Sequence, residues 1–369
     1  MKRIVIAGGG TGGHIFPSLS IIKKIRELSQ EKVEIIYIGS GSKLEQPLYE
    51  ISDRSYTIVV GKWRRYFSIQ NIFMPFKTLW GWFQSLMFLV REMPDVVFSK
   101  GGYVSFPVAF AALVYRIPVV IHESDAIPGI TNRMLGKLSK KIAVGFDHAR
   151  EYFMETKIVV TGNITQPDIT QGDPNRARDR FSLSESKPVI LVLGGSQGSQ
   201  EVNENITEIL EEILPFAQVL HQTGESKLEE TKKRVITREG VKPGRRGYHP
   251  VGFLSQEEMR DALSVANLVI SRSGATSIAE LAACRKVSLL IPLASSANDH
   301  QRMNAFLVAE KDGALVLEGG NLSRGILLGK VKRLLFEEDL RENMKKNIAL
   351  FDHPDSAEKV ASLIIDFSK

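Results

Sequence analysis

Residues 4–13 read IVIAGGGTGG: an apolar run ends in five glycines among the six positions 8–13, and His14 follows at once. Glycine weakens regular structure. A cluster therefore implies positive φ angles or another group pressed against the backbone. An apolar run closed by such a turn is how a buried parallel strand passes into a helix. The pattern recurs: ILVLGGSQGS at 190–199 echoes the first stretch, and VVFSKGGYVS at 96–105 is echoed by LVISRSGATS at 268–277. Further Val/Ile-rich runs, VEIIYIG (33–39), IPVVIH (117–122), KIVVTG (157–162), AQVLHQTG (217–224) and VSLLIPL (287–293), alternate with helix-like segments. The expected fold is α/β, with two Rossmann-like doubly wound parallel-sheet domains facing a central cleft. The polar stretch 162–180, with Pro167 and Pro174, reads as the linker. After the N-cap-like Asp355-Ser356, the spacing of Val360, Leu363, Ile364 and Phe367 predicts a last helix that returns to the first domain. The expected domains are 1–163 with 355–369, and 164–354.

Composition narrows the partners. With 43% hydrophobic and 24% charged residues this is an ordinary globular chain. Its one cysteine, Cys284, excludes an internal disulfide, and no Cys/His cluster suggests zinc. Behind Lys2 and Arg3 the apolar run is only Ile4–Ala7, so no secretory signal is expected. The longest uncharged stretches, Thr78–Val90 and Gly101–Tyr115, fall short of the roughly 18–20 residues a spanning helix needs. A net charge of +6 suits nucleic acid, an anionic membrane or a phosphorylated substrate. Without an RNP motif, zinc finger or arginine-rich helix, nucleic acid is not expected.

Gly8, Gly10 and Gly13 satisfy GxGxxG, but a dinucleotide site also wants an acidic residue closing the second strand, and none appears before Glu45. No GxxxxGK[ST] lysine is present either. What such loops share is a set of backbone N–H groups at a helix start, which favours phosphate. In the second half, GGSQGS offers Ser196 and Gln197 to a phosphate. SRSGATSIAE adds a second helix start, with Arg272 beside it and Glu280 further in to accept ribose hydroxyls. Together these describe a nucleoside diphosphate site; the plainer reading is that the glycines only permit tight turns.

Six motifs in series, GGGTGGHIFP (8–17), FSKGGYVSFP (98–107), IHESDAIPGITNR (121–133), GGSQGSQEVN (194–203), SRSGATSIAE (271–280) and NDHQRMNA (298–305), strongly resemble the MurG family of cell-wall glycosyltransferases over essentially the whole chain. The resemblance implies the GT-B architecture and an inverting transfer of GlcNAc from UDP-GlcNAc to the C4 hydroxyl of the MurNAc in undecaprenyl-pyrophosphoryl-MurNAc-pentapeptide (lipid I). It implies no cofactor and no metal, and a peripheral place on an anionic membrane surface, the cytoplasmic face of the bacterial plasma membrane. Carried over by position, Thr11, Gly12 and Gly13 meet the donor sugar and diphosphate. Ser196 and Gln197 meet phosphate, and Leu254 borders the uracil. Ala275, Thr276, Ser277, Ile278, Ala279 and Glu280 hold phosphate and ribose, and Gln301 reaches the GlcNAc hydroxyls. Gly101, Gly102, Tyr103, His122, Asn132 and Asn203 fall on the acceptor side. Better-known members read HEQNG and GNPVR where this chain reads HESDA and GNITQ, which puts Asp125 in place of an asparagine and Gln166 in place of an arginine near the donor. His14, directly behind the first loop, is the leading general base, with Glu123 and Asp125 as rivals.

The segment 62–90 interleaves Arg64, Arg65 and Lys77 with Phe67, Phe73, Met74, Phe76, Leu79, Trp80 and Phe83. It reads as a peripheral membrane contact or as an ordinary buried helix. Other functions remain open: a GT-B relative working on another lipid acceptor or epimerising a UDP-sugar, and a non-catalytic nucleotide-sugar binder.

Overall fold

The computed structural model describes residues 1–368 except 11, 62–69, 167, 196, 240–246 and 294–298; of 70–73 and 237–239 it describes the backbone alone. The chain forms two compact units, Met1–Gln166 with His353–Lys369, and Pro167–Asp352. They divide at 166/167 and 352/353, against the 163/164 and 354/355 read from sequence.

The first unit holds β1 (Lys2–Ala7), β2 (Val33–Gly39), β3 (Arg54–Thr57), β4 (Val96–Ser99), β5 (Val119–Glu123), β6 (Lys141–Val144) and β7 (Ile158–Val160). They form one sheet in the order β3-β2-β1-β4-β5-β6-β7, every pair parallel. The second unit holds β8 (Val189–Leu193), β9 (Gln218–Gln222), β10 (Tyr248–Val251), β11 (Leu268–Ser271), β12 (Ser288–Leu290) and β13 (Leu315–Val316). Its sheet repeats the plan, β10-β9-β8-β11-β12-β13, again all parallel. Both are doubly wound α/β sheets, as expected.

Central strands are buried along their length because helices cover both faces: β1 from Ile4 to Ala7, and β8 and β11 throughout. On one face of the first sheet, Ile21, Ile22 and Ile25 of the helix Gly12–Leu28 pack with Val360, Ala361 and Ile364 of the last helix, Ser356–Asp366. The chain's end thus completes the core of its beginning. In each sheet the winding reverses between the first strand and its neighbour across the reversal, β1 beside β4 and β8 beside β11. Loops leaving those strands splay apart there and open the crevice where doubly wound folds bind ligands. All four glycine motifs sit at these two reversals.

Candidate active site

In the first unit, β1 runs through Gly8, Gly9 and Gly10 into the helix Gly12–Leu28, with Gly10 at φ 86°. Gly9 and Gly10 leave no room for side chains. A Cβ on Gly9 would lie 2.1 Å from Glu45 Oε1, and one on Gly10 would lie 2.7 Å from the Tyr103 ring. Glu45 is completely buried. Its Oε1 accepts the Gly10 N–H (3.0 Å) and the Ser40 hydroxyl (2.7 Å), and its Oε2 accepts the N–H groups of Ser40 (2.8 Å) and Gly41 (3.1 Å). This amends the sequence reading. The first loop does not offer all its amides to an incoming diphosphate, because a resident carboxylate already caps Gly10. Of the residues expected against the donor, Gly12 and Gly13 open the helix half-buried, and Thr11 lies outside the described residues.

His14 is in the first turn of that helix, half-buried. Its Nδ1 lies 3.1 Å from the Gly9 carbonyl oxygen. A carbonyl only accepts, so Nδ1 carries the proton and Nε2 is the basic nitrogen. Burial first, and then the nearby Lys100 charge, lower its pKa to about 4, so the ring is neutral at physiological pH. Gly101 and Gly102, at φ 93° and 82°, turn β4 into the helix Gly102–Val114. Their missing side chains make room for Asn132 and His14: a Cβ would stand 2.9 Å from the Asn132 amide and 3.2 Å from His14 Cε1.

Beside them β5 ends in His122 and Glu123, both buried. Glu123 Oε1 accepts the Asp125 N–H (2.9 Å), while its Oε2 accepts the Asn132 amide (2.9 Å) and the Gly129 N–H (3.2 Å). Desolvation, then the Asp125 charge, push its pKa up to about 7. With both oxygens engaged, Glu123 braces the 124–129 loop; this weakens it as a rival base. The structure therefore gathers His14, Gly101, Gly102, Tyr103, His122, Glu123, Asp125 and Asn132 in one place. It adds Lys100, which the sequence reading passed over: Lys100 Nζ sits 2.8 Å from His122 Nδ1.

Asn203 lies in the second unit, buried in the helix Gln200–Glu208, where its amide donates to the Thr223 carbonyl (3.0 Å) and its oxygen meets His221 Nε2 (3.1 Å), so its polar atoms hold that helix to β9. Gln166 is buried at the end of the first unit.

In the second unit, β8 runs into Gly194 and Gly195, and Gly198 at φ 69° lets the Thr223 carbonyl come in: a Cβ there would fall 1.8 Å from that oxygen. Gln197 lies in this turn, its carbonyl accepting from Lys227 Nζ (2.8 Å); Ser196 lies outside the described residues. Buried Gln222 donates to the Gly195 carbonyl (3.2 Å) and accepts the N–H of buried Leu254 (3.1 Å). It thereby joins the phosphate-loop candidate to the base-pocket candidate, and no spacing in the sequence announces it.

β11 leads through Arg272 and Ser273 to Gly274, which precedes the helix Ala275–Ala283 and supplies no side-chain cap. The first amides of that helix, from Ala275 through Thr276 and Ser277, thus lack the side-chain acceptor most helices provide. A Cβ on Gly195 would stand 3.5 Å from Arg272 Nη1, so the guanidinium flanks the β8 loop. Arg272 donates from Nε to Gln301 Oε1 (3.4 Å), which also accepts the Leu293 N–H (3.1 Å). On the same helix Ile278 and Ala279 pack inward, and Glu280 keeps part of its surface open while desolvation raises its carboxyl to about 7. The second unit therefore combines glycine-loop amides, open helix amides, an arginine and a carboxyl acceptor: positive potential for a diphosphate, with a hydrogen-bond acceptor beyond it. No cluster of His, Cys, Asp and Glu suited to a metal occurs among the described residues.

Residues 4–144 match the glycosyltransferase family 28 N-terminal domain, and residues 189–360 its C-terminal domain. A relative from Lachnospira eligens, named UDP-N-acetylglucosamine--N-acetylmuramyl-(pentapeptide) pyrophosphoryl-undecaprenol N-acetylglucosamine transferase, is 37% identical over the full length of both chains. One of the same name from Clostridium perfringens is 37% identical over 93% of this chain and 91% of its own. Among solved structures, Acinetobacter baumannii MurG matches with a TM-score of 0.75 and 25% identity, covering 99% of this chain and 100% of that one. UDP-GlcNAc 2-epimerase from Neisseria meningitidis, bound to UDP-GlcNAc, shares the fold with a TM-score of 0.71 at 14% identity, covering 99% of this chain and 100% of its own.

Proposed function

The chain belongs to glycosyltransferase family 28, among its MurG transferases, and from that premise we propose that it moves GlcNAc from UDP-GlcNAc to the MurNAc C4 hydroxyl of lipid I, giving lipid II. The observation that carries the donor assignment is the uncapped helix start at Ala275, with Arg272 before it and Glu280 within it. The diphosphate lies against those amides, Arg272 and the 194–198 loop. Glu280 accepts the ribose hydroxyls, Leu254 borders the uracil, and Gln301 reaches the sugar. The acceptor hydroxyl attacks the anomeric carbon from the face opposite UDP, which inverts the centre. His14 Nε2 takes the hydroxyl proton as the C–O bond forms, and UDP leaves with the electrons of the broken bond. The leaving charge is met by Arg272 and the amides, an arrangement that acts without a resident cation or cofactor. Incubation with labelled UDP-GlcNAc and a short-chain lipid I analogue is expected to yield the disaccharide product. UDP-glucose or diacylglycerol in its place is expected to yield none.

The helix Gln70–Glu92 supports peripheral work on a lipid acceptor. One side is buried at Gly81, Ser85 and Leu89, and a Cβ on Gly81 would lie 2.3 Å from the Val59 carbonyl. The opposite side exposes Phe76 (69%), Leu79, Trp80 (60%), Phe83, Met87 (70%) and Val90, with Lys77 among them. Arg64, Arg65 and Phe67 lie outside the described residues, as does the Phe73 side chain. No helix among the described residues is long and apolar enough to cross a membrane. An exposed stripe of this size suits insertion at the headgroup boundary of an anionic leaflet, here the cytoplasmic face of the plasma membrane. Sedimentation with vesicles containing anionic lipid is expected to carry the protein down. Trp80→Ser with Phe83→Ser is expected to weaken that binding by about a hundredfold or more, at about 1.5–3 kcal/mol for each large side chain removed. Undiminished binding of this double variant would remove the helix from the proposal.

A further inference from the structure

We propose that Lys100 is a positioning residue for the transfer reaction: its buried ammonium fixes His122 and Ser124 and supplies the charge opposite Asp125 beside His14. The proposal rests on the transferase reading above. Lys100 follows β4 directly and is 2% exposed. Its N–H donates to the Ala7 carbonyl (3.0 Å), and its stem passes beneath Gly8, where an added Cβ would lie 3.1 Å from Lys100 Cβ. Nζ donates to His122 Nδ1 at 2.8 Å and to the Ser124 hydroxyl. An ammonium has no acceptor to offer, so His122 Nδ1 must be the unprotonated nitrogen, which sets that ring's tautomer.

A buried ammonium is costly unless opposite charge lies close by. The titratable groups that face it are His14 from the helix Gly12–Leu28, His122 and Glu123 from the end of β5, and Asp125 from the loop beyond. Two of these are acids: Asp125, and Glu123, which burial and Asp125 hold to a pKa of about 7. Desolvation lowers the Lys100 pKa to about 8 against their pull, so most of the ammonium keeps its proton at neutral pH. Asp125, the chain's departure from the commoner asparagine, thus comes with a partner of opposite sign in the same buried cluster. One charge explains the other.

The sign of each substitution follows. Removing the Lys100 charge makes every neighbour take up a proton more readily: Glu123, Asp125 and His14 all shift upward. Removing the Asp125 charge moves Glu123 and His14 downward. The test is the pH profile of kcat/KM with UDP-GlcNAc and a short-chain lipid I analogue, for the parent protein, Lys100→Met, Asp125→Asn and the double variant. Lys100→Met is expected to lower turnover at neutral pH about tenfold and to move the acid limb up by about one pH unit. Asp125→Asn is expected to move the limb down, and the double variant to return it to within about 0.3 units of the parent. A Lys100→Met limb that stays in place, or a double variant in which the shifts fail to cancel, overturns the proposal. If Lys100→Met does not fold, the charge-balanced double variant against Asp125→Asn carries the same comparison. If the parent makes no product, the transferase reading fails; titration of the His14 ring by NMR then tests Lys100 alone. There, a rise with Lys100→Met is expected, and no change refutes it.

Discussion

His14→Ala is expected to lower turnover about a hundredfold or more while UDP-GlcNAc affinity stays within about twofold, the signature of a lost general base. The geometry gives the reason. The Gly9 carbonyl holds the proton on Nδ1, which makes Nε2 the basic nitrogen, and the missing side chain of Gly102 leaves room beside the ring. With its pKa lowered to about 4 by burial and Lys100, the ring is ready to accept at neutral pH but is a weak base at rest. An anionic acceptor seated beside it raises that value and strengthens it in the complex that needs it. The measurement is kcat and donor KM with the soluble acceptor analogue, with a thermal melt to show the variant is folded. Near-normal turnover in a folded His14→Ala protein would move the base role to Asp125.

The second large effect is on the donor. At pH 8, where its carboxyl is ionised, Glu280→Ala is expected to weaken UDP binding by about a hundredfold, the loss of two hydrogen bonds to a charged acceptor at about 1.5–3 kcal/mol each, partly offset by water. Calorimetric titration with UDP measures it; an affinity unchanged within about threefold would detach Glu280 from the ribose. Glu280→Gln separates binding from stability. The folded-state pKa of about 7 lies above the ordinary 4.5, so the folded protein holds this proton more tightly than the unfolded chain. Glu280 thus favours folding below about pH 4.5, and that contribution is lost as pH rises through 7. Glu280→Gln is accordingly expected to melt higher than the parent at pH 8, with the gap closing toward pH 4.5.

Much of this fold was legible because its central strands are continuous apolar runs. β2, β4, β7, β9, β11 and β12 fall within segments read as strands, and β1, β5 and β8 overlap such segments to within one or two residues. What escaped was mostly at sheet edges. β3 is Arg-Ser-Tyr-Thr and β10 carries Pro250, and an edge strand needs neither a two-sided apolar run nor every backbone donor. β13 is only two residues long. In the site, the glycine loops and His14 were legible because they are local: a strand, a turn and a helix start within ten residues. Glu45, Lys100 and Gln222 were not, because each acts on residues distant in sequence. Glu45 meets Gly10 only through the β1–β2 pairing, and Gln222 meets Leu254 only because β9 lies beside β10. The partners of Asn203 were hidden for the same reason: its sequence neighbourhood is a glycine motif, but it bonds to His221 and Thr223 on β9 and beyond it.

The return of residues 353–369 to the first unit governs the order in which a growing chain can mature. During synthesis, Pro167–Asp352 emerges whole and can consolidate while the earlier-made half still lacks Val360, Ala361 and Ile364 from its interior. That half waits with an apolar seam uncovered until the ribosome releases the final stretch. A stop codon or a protease cut shortly after residue 352 would therefore damage the portion made first rather than the portion made last.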